Sequence, residues 1–83
     1  MTLFETVKHS VTVKQAAEHY GCKVNRGDMI CCPFHDDRHP SMKLNEDYFY
    51  CFGCGTTGDV IDFVARLFGL SSYEAAQKLA YDF

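Results

Sequence analysis

The sequence predicts a small α+β domain, a short antiparallel sheet flanked by N- and C-terminal helices. Three observations carry this. Helical hydrophobic periodicity occupies both ends of the chain and is missing from the middle. Three hydroxyl residues in the end segments are each followed three positions later by Glu or Gln. The middle holds short apolar runs between polar turns, with cysteine and histidine at regular spacings.

The helix starts are Thr2…Glu5, Thr12…Gln15 and Ser71…Glu74. In such a capping box the hydroxyl accepts the N3 amide and the Glu or Gln reaches back to the cap amide. Val11 with Ala16, and Leu70 with Ala75, stand at the staple positions on either side of a cap. Behind Thr12, Val13, Ala16, Ala17 and Tyr20 repeat on one helical face, and Gly21 suits a left-handed stop.

In the centre, Asn25-Arg26-Gly27-Asp28 reads as a turn and Met29–Cys32 as an apolar run after it. Met42–Leu44 and Tyr48–Cys51 flank the polar turn Asn45-Glu46-Asp47, a hairpin pattern. Tyr48 and Tyr50 then share one strand face, Phe49 and Cys51 the other. A helix begins at Thr57 or Asp59, with Val60, Ile61, Phe63, Val64, Leu67 and Phe68 as its stripe and Gly69 as its end. In the last helix the expected stripe is Tyr73, Ala76, Leu79, Ala80 and Phe83. It runs to the final residue without a C-cap, as in a chain cut from something longer.

The chain has 83 residues, 47% of them hydrophobic and 23% charged, with a net charge of −3. That is one domain, residues 1–83, at a size where a hydrophobic core alone is marginal and a staple is common. No apolar run approaches the ~20 residues of a membrane span, and Met1-Thr2-Leu3-Phe4-Glu5 lacks the pattern of a secretory signal. Five cysteines, an odd number, without an export signal point to a reducing, cytoplasmic setting rather than a disulfide framework.

The strongest chemical signal is Cys32-Pro-Phe-His35, fifteen intervening residues, then Cys51-Phe-Gly-Cys54. Two ligands separated by two residues make a knuckle, and two knuckles complete a tetrahedron. Three thiolates and one imidazole are a structural zinc set, with no position left open for catalysis. The bland alternative, buried small residues plus a surface histidine, is hard to reconcile with paired knuckles in a short chain. Cys31 beside Cys32 and His39 after His35 leave the register open to question. The two-residue spacing favours Cys32 and His35, with one zinc ion bound. Cys22 and Cys31 are then expected to be core residues, and His9 and His19 surface residues.

Gly53-Cys54-Gly55-Thr56-Thr57-Gly58 also fits a dinucleotide-binding fingerprint. The context speaks against it: Cys54 is an expected metal ligand and the chain is too short for a second βαβ half. A simpler role for Gly53 is to let the backbone fold tightly around the metal. A phosphate at the following helix N-terminus stays open. Asp36, Asp37, Asp47, Asp59 and Asp62 form no defensible acid–base couple; aspartates at turns and helix starts are normally caps.

Cys-Pro-Phe-His, Pro40-Ser41, Tyr50-Cys51-Phe52-Gly53-Cys54-Gly55, Gly58-Asp59-Val60-Ile61 and Phe63 together resemble the N-terminal zinc-binding domain of bacterial and phage DNA primases of the DnaG type. The likeness runs over nearly the whole chain. Met42 departs from it, standing where the family usually shows Phe. The resemblance implies a zinc ribbon in which Cys32, His35, Cys51 and Cys54 bind zinc. It also implies engagement of single-stranded DNA template and a part in choosing the primer start site. Primer synthesis would belong to a separate Toprim-type domain, absent from these residues, so the chain alone is not expected to be an enzyme. A catalytic domain and a replicative helicase are the implied protein partners, and no membrane is involved.

Single-strand binding needs aromatic faces and cations. Tyr48 and Tyr50 supply the first, Arg38 and Lys43 the second. The bland alternative is cross-strand packing of the tyrosines with Lys43 a solvated residue. Charge is unhelpful: one zinc on three thiolates takes the net charge from −3 to about −4, so a local patch must carry any contact with DNA. A competing reading is a zinc-stabilised protein-interaction module that docks a helicase, a polymerase domain or a second copy and never touches DNA.

Overall fold

The computed structural model describes residues 2–35 and 38–83; Met1, Asp36 and Asp37 lie outside the described residues. The order is α1 (Leu3–Ser10), α2 (Val13–His19), β1 (Met29–Ile30), β2 (Met42–Leu44), β3 (Phe49–Cys51), β4 (Thr57–Gly58), α3 (Val60–Phe68) and α4 (Ser72–Asp82). The four strands form an antiparallel meander in sequence order.

Caps set the helix starts. At α2 the Gln15 amide donates to Thr12 Oγ1 at 3.0 Å and the Thr12 amide to Gln15 Oε1 at 2.9 Å. Ser71 and Glu74 do the same for α4. At α1 only half the box forms: the Glu5 amide donates to Thr2, whose hydroxyl turns to the Glu5 carboxylate. Helix α3 starts at Asp59, in a reciprocal box with Asp62, and Thr57 belongs to β4. Gly21 and Gly69 both take the left-handed conformation expected of helix stops.

The sheet alternates as its period requires. Met42, Leu44, Phe49 and Cys51 face the core, while Lys43 and Tyr50 stand on the other face. Lys43 pairs with Tyr50, which pairs with Thr57. Two strands are shorter than expected: Cys32 falls beyond β1 and Tyr48 precedes β3. The short β4 was not anticipated.

Helix α3 is the centre of the core, packed against α1, α2, α4 and β4. Its Val60, Ile61, Phe63 and Val64 are buried, whereas Phe68, at the far end, is largely exposed. There it meets the Tyr20 ring edge-on at 5.0 Å and lies 4.8 Å from the Lys78 ammonium. The Tyr20 hydroxyl donates to Asp82 at 2.7 Å, tying α2 to α4. Lys8 and Asp59 tie α1 to the start of α3 at 3.0 Å.

Two expectations need correction. Helix α4 buries Ala75, Ala76 and Leu79, while Tyr73, Ala80 and Phe83 are exposed. The helix is rotated so that its small residues face its neighbours, which lets backbones approach closely. Cys31 is exposed, not packed. It directly follows β1, and burial alternates over Ile30, Cys31 and Cys32, so burying Cys32 turns its neighbour outward. Cys22 is half-buried against the core, and burial pushes its thiol pKa up.

Candidate metal centre

The first knuckle leaves the end of β1 and is anchored by a residue inside it. Phe34 lies 5.9 Å from Phe49 and 5.7 Å from Phe63, ring centre to ring centre, and those two rings are 5.5 Å apart. The three rings join knuckle, sheet and α3 at spacings favourable for edge-on contact. Phe34 thus fixes the turn that presents Cys32 and His35.

The second knuckle closes on itself. The Gly55 amide donates to the Cys51 carbonyl at 2.7 Å. The Cys51 amide donates to the Thr56 carbonyl and the Phe52 amide to the Ser41 carbonyl, both at 2.8 Å. Gly53 sits against the first knuckle: a Cβ there would lie 3.2 Å from Ser41 Oγ and 3.3 Å from His35 Nε2. A side chain there would push Ser41 and His35 back by a few tenths of an ångström and loosen the contact between the two turns.

Cys32, His35, Cys51 and Cys54 converge, their ligand atoms all within 4.8 Å of one another. Cys32 Sγ is 4.0 Å from Cys54 Sγ, and Cys51 Sγ is 3.5 Å from His35 Nε2. A tetrahedron with zinc–sulfur bonds of ~2.3 Å and a zinc–nitrogen bond of ~2.0–2.1 Å has edges of about 3.5–3.8 Å. The donor set and its spacing therefore fit zinc. Cys31 and His39 are not members of the group.

The cluster is electrostatically uneven. Burial pushes the Cys32 thiol up to about 12. Burial acts the same way on Cys51, but hydrogen bonds from Ser41, His35 and the Cys54 amide outweigh it and bring that thiol down to about 6. Three neighbouring thiolates repel one another, and a divalent cation removes that conflict by displacing the remaining protons.

The residues expected to meet nucleic acid are only partly brought together. Lys43 and Tyr50 are cross-strand partners on the outer sheet face. Tyr48 is exposed just before β3. Arg38 is exposed in the segment between His35 and β2, off the strand face. The Lys43 ammonium donates to the Gly27 carbonyl at 2.6 Å. Sequence reasoning missed Phe52, which is 71% exposed and lies 5.1 Å from the Tyr50 ring. A place inside a knuckle does not decide exposure, since Phe34 in the first knuckle packs inward, so the sequence carried no signal that set Phe52 apart. The α3 N-terminus carries the Asp59 and Asp62 carboxylates, so the phosphate reading loses its electrostatic basis.

All 83 residues match the family model described as the CHC2 zinc finger, a zinc ribbon of DnaG. The DNA primase of Helicobacter pylori strain J99 is 37% identical over 83 residues, covering 98% of this chain and 13% of that protein. The DNA primase of Rickettsia prowazekii is 48% identical over 54 residues, 63% of this chain and 9% of that protein. The crystal structure of the Aquifex aeolicus primase, comprising zinc-binding and RNA polymerase domains, superposes with a TM-score of 0.81 at 29% identity over 98% of this chain and 21% of that one. The chain thus spans about an eighth of the length of its Helicobacter relative. On fold, donor set and sequence alike, the chain belongs to the CHC2 zinc finger family, the zinc ribbon of DnaG-type DNA primases.

Proposed function

We propose that this zinc ribbon engages single-stranded DNA template for a primase and helps to select where primers start. Zinc is the cofactor that the family and the donor set call for. In this reading Cys32, His35, Cys51 and Cys54 hold one ion. Zinc so bound keeps the two knuckles together and offers no open coordination position. Primer synthesis then belongs to another domain, and the chain by itself is non-catalytic.

The observation that carries the DNA reading is the outer sheet face. Tyr48, Tyr50 and Phe52 are exposed aromatic residues on or beside β3, and Lys43 stands across from Tyr50. Aromatic faces stack bases and cations follow the backbone, the combination that single strands require. Fluorescence anisotropy with short single-stranded oligonucleotides at low salt tests it. Saturable binding is expected, weakened by Tyr50→Ala, Lys43→Ala and Arg38→Ala. Binding no stronger than that of an unrelated acidic protein would overturn it.

A net charge of −3 and the exposed Phe68, Tyr73, Tyr81 and Phe83 on the helical side favour a second reading, docking on a helicase or a polymerase domain without contact with DNA. Arg38→Ala separates the two: it leaves oligonucleotide signals unchanged if DNA is not the partner.

A further inference from the structure

The structure assigns Ser41 and Thr56 a role at the metal centre: their hydroxyls donate to the Cys51 and Cys54 sulfurs and hold the second knuckle in ligating geometry. This rests on the reading of those cysteines as zinc ligands. Thr56 Oγ1 lies 3.0 Å from Cys54 Sγ, and Ser41 Oγ lies 3.5 Å from Cys51 Sγ. A metal-bound thiolate carries no proton, so the hydroxyl must be the donor in both pairs.

Both hydroxyls are placed by backbone bonds. The Thr56 carbonyl accepts the Cys51 amide, and the Ser41 carbonyl accepts the Phe52 amide. Ser41 also donates its own amide to the Ile30 carbonyl at 3.1 Å. The two residues therefore sit one on each side of the Cys51–Cys54 turn, at the points where sheet pairing runs out into it.

The centre's asymmetry gives the two bonds different tasks. Cys51 is buried, so the Ser41 hydroxyl replaces solvation that the sulfur has lost. Cys54 is exposed, so an electrophile or a competing chelator reaches it first. Three thiolates on one divalent cation leave the centre with a formal charge of −1. A donated hydrogen bond draws density off the sulfur and lowers its nucleophilicity. Thr56 is thus a positioning residue that slows attack at the most accessible sulfur.

The test uses the full chain loaded with cobalt or zinc, and the variants Thr56→Val, Thr56→Ser and Ser41→Ala. Thr56→Val removes the hydroxyl at constant shape. It should move the sulfur-to-cobalt charge-transfer band to lower energy and speed zinc transfer to an excess of pyridylazoresorcinol about tenfold, the low end for outer-shell partners. Thr56→Ser should restore both signals. Ser41→Ala should shift the band in the same sense, by less, and it tests the Cys51 bond by itself if Thr56→Val does not fold. Parental band position and transfer rate in Thr56→Val, or in Ser41→Ala where the valine variant is unfolded, would overturn the proposal. A parent chain that takes up no cobalt would instead overturn the ligand set beneath it, and the proposal with it.

Discussion

The helical side and the knuckle side of this molecule are held by different forces. On the helical side, Val7, Ile61, Val64, Ala75, Ala76 and Leu79 are buried between α1, α3 and α4, and every helix start carries a side-chain cap. Burial of apolar area is non-directional and tolerates small displacements. On the knuckle side, strands of two or three residues contribute few ladder bonds. Two turns face each other there through sulfur and imidazole. Among the described residues, Cys32, Phe34 and Cys51 link the knuckles to the core. One side is stable by packing, the other, in the reading proposed above, is held by an ion, and the Phe34–Phe49–Phe63 triangle couples them.

Replacing a ligand should do the most damage. Cys51→Ser is expected to abolish stoichiometric zinc binding and the cooperative thermal transition followed by circular dichroism. Zinc binding in finger peptides contributes an apparent ~10–16 kcal/mol, as much as the whole stability of an ordinary domain.

Leu79→Ala breaks the helical side alone. It should cost about 2–5 kcal/mol in urea unfolding and leave the cobalt charge-transfer band where it is in the parent. A shifted band would show that the two sides are not as separate as the packing indicates.

Asp59→Ala should cost about 1 kcal/mol through the lost α3 cap, with a few tenths more from the half-exposed Lys8 pair. Burial raises the Asp59 pKa, but the Asp62 amide and Lys8 outweigh it, so the group titrates below its ordinary value. Its contribution is therefore present above the unfolded carboxylate pKa of about 4 and is lost as pH falls through the lower folded value. The gap between variant and parent should be full near pH 6 and shrink below pH 4, as read from paired urea titrations.

The outer sheet face should matter least for folding. Tyr50→Ala and Lys43→Ala are expected to change stability by about 0.5 kcal/mol or less while weakening oligonucleotide binding. Lys43→Ala should also reduce the salt dependence by roughly 0.7 in log–log slope if it neutralises one phosphate.

The two sides differed in how much of them the sequence revealed. Caps and helix stops are local, so Thr12 with Gln15, Ser71 with Glu74, Gly21 and Gly69 were readable from neighbours alone. The rotation of α4 was not, because Tyr73 and Phe83 are as apolar as residues that pack; which face turns inward depends on α1 and α3. On the knuckle side the two-residue spacings were readable, and the structure brings those four side chains together. The parts that join them depend on long-range pairing: β4, the Phe34 anchor, and the Ser41 and Thr56 hydroxyls. Cys31 was misread because its exposure follows from how its neighbour is placed.

The most direct test is to measure bound metal and unfolding on the same sample as a strong chelator is added. One zinc per chain, with the thermal transition lost in step with zinc removal, is the expected result. A metal-free chain with an unchanged melting curve would contradict the view that an ion holds the knuckle side.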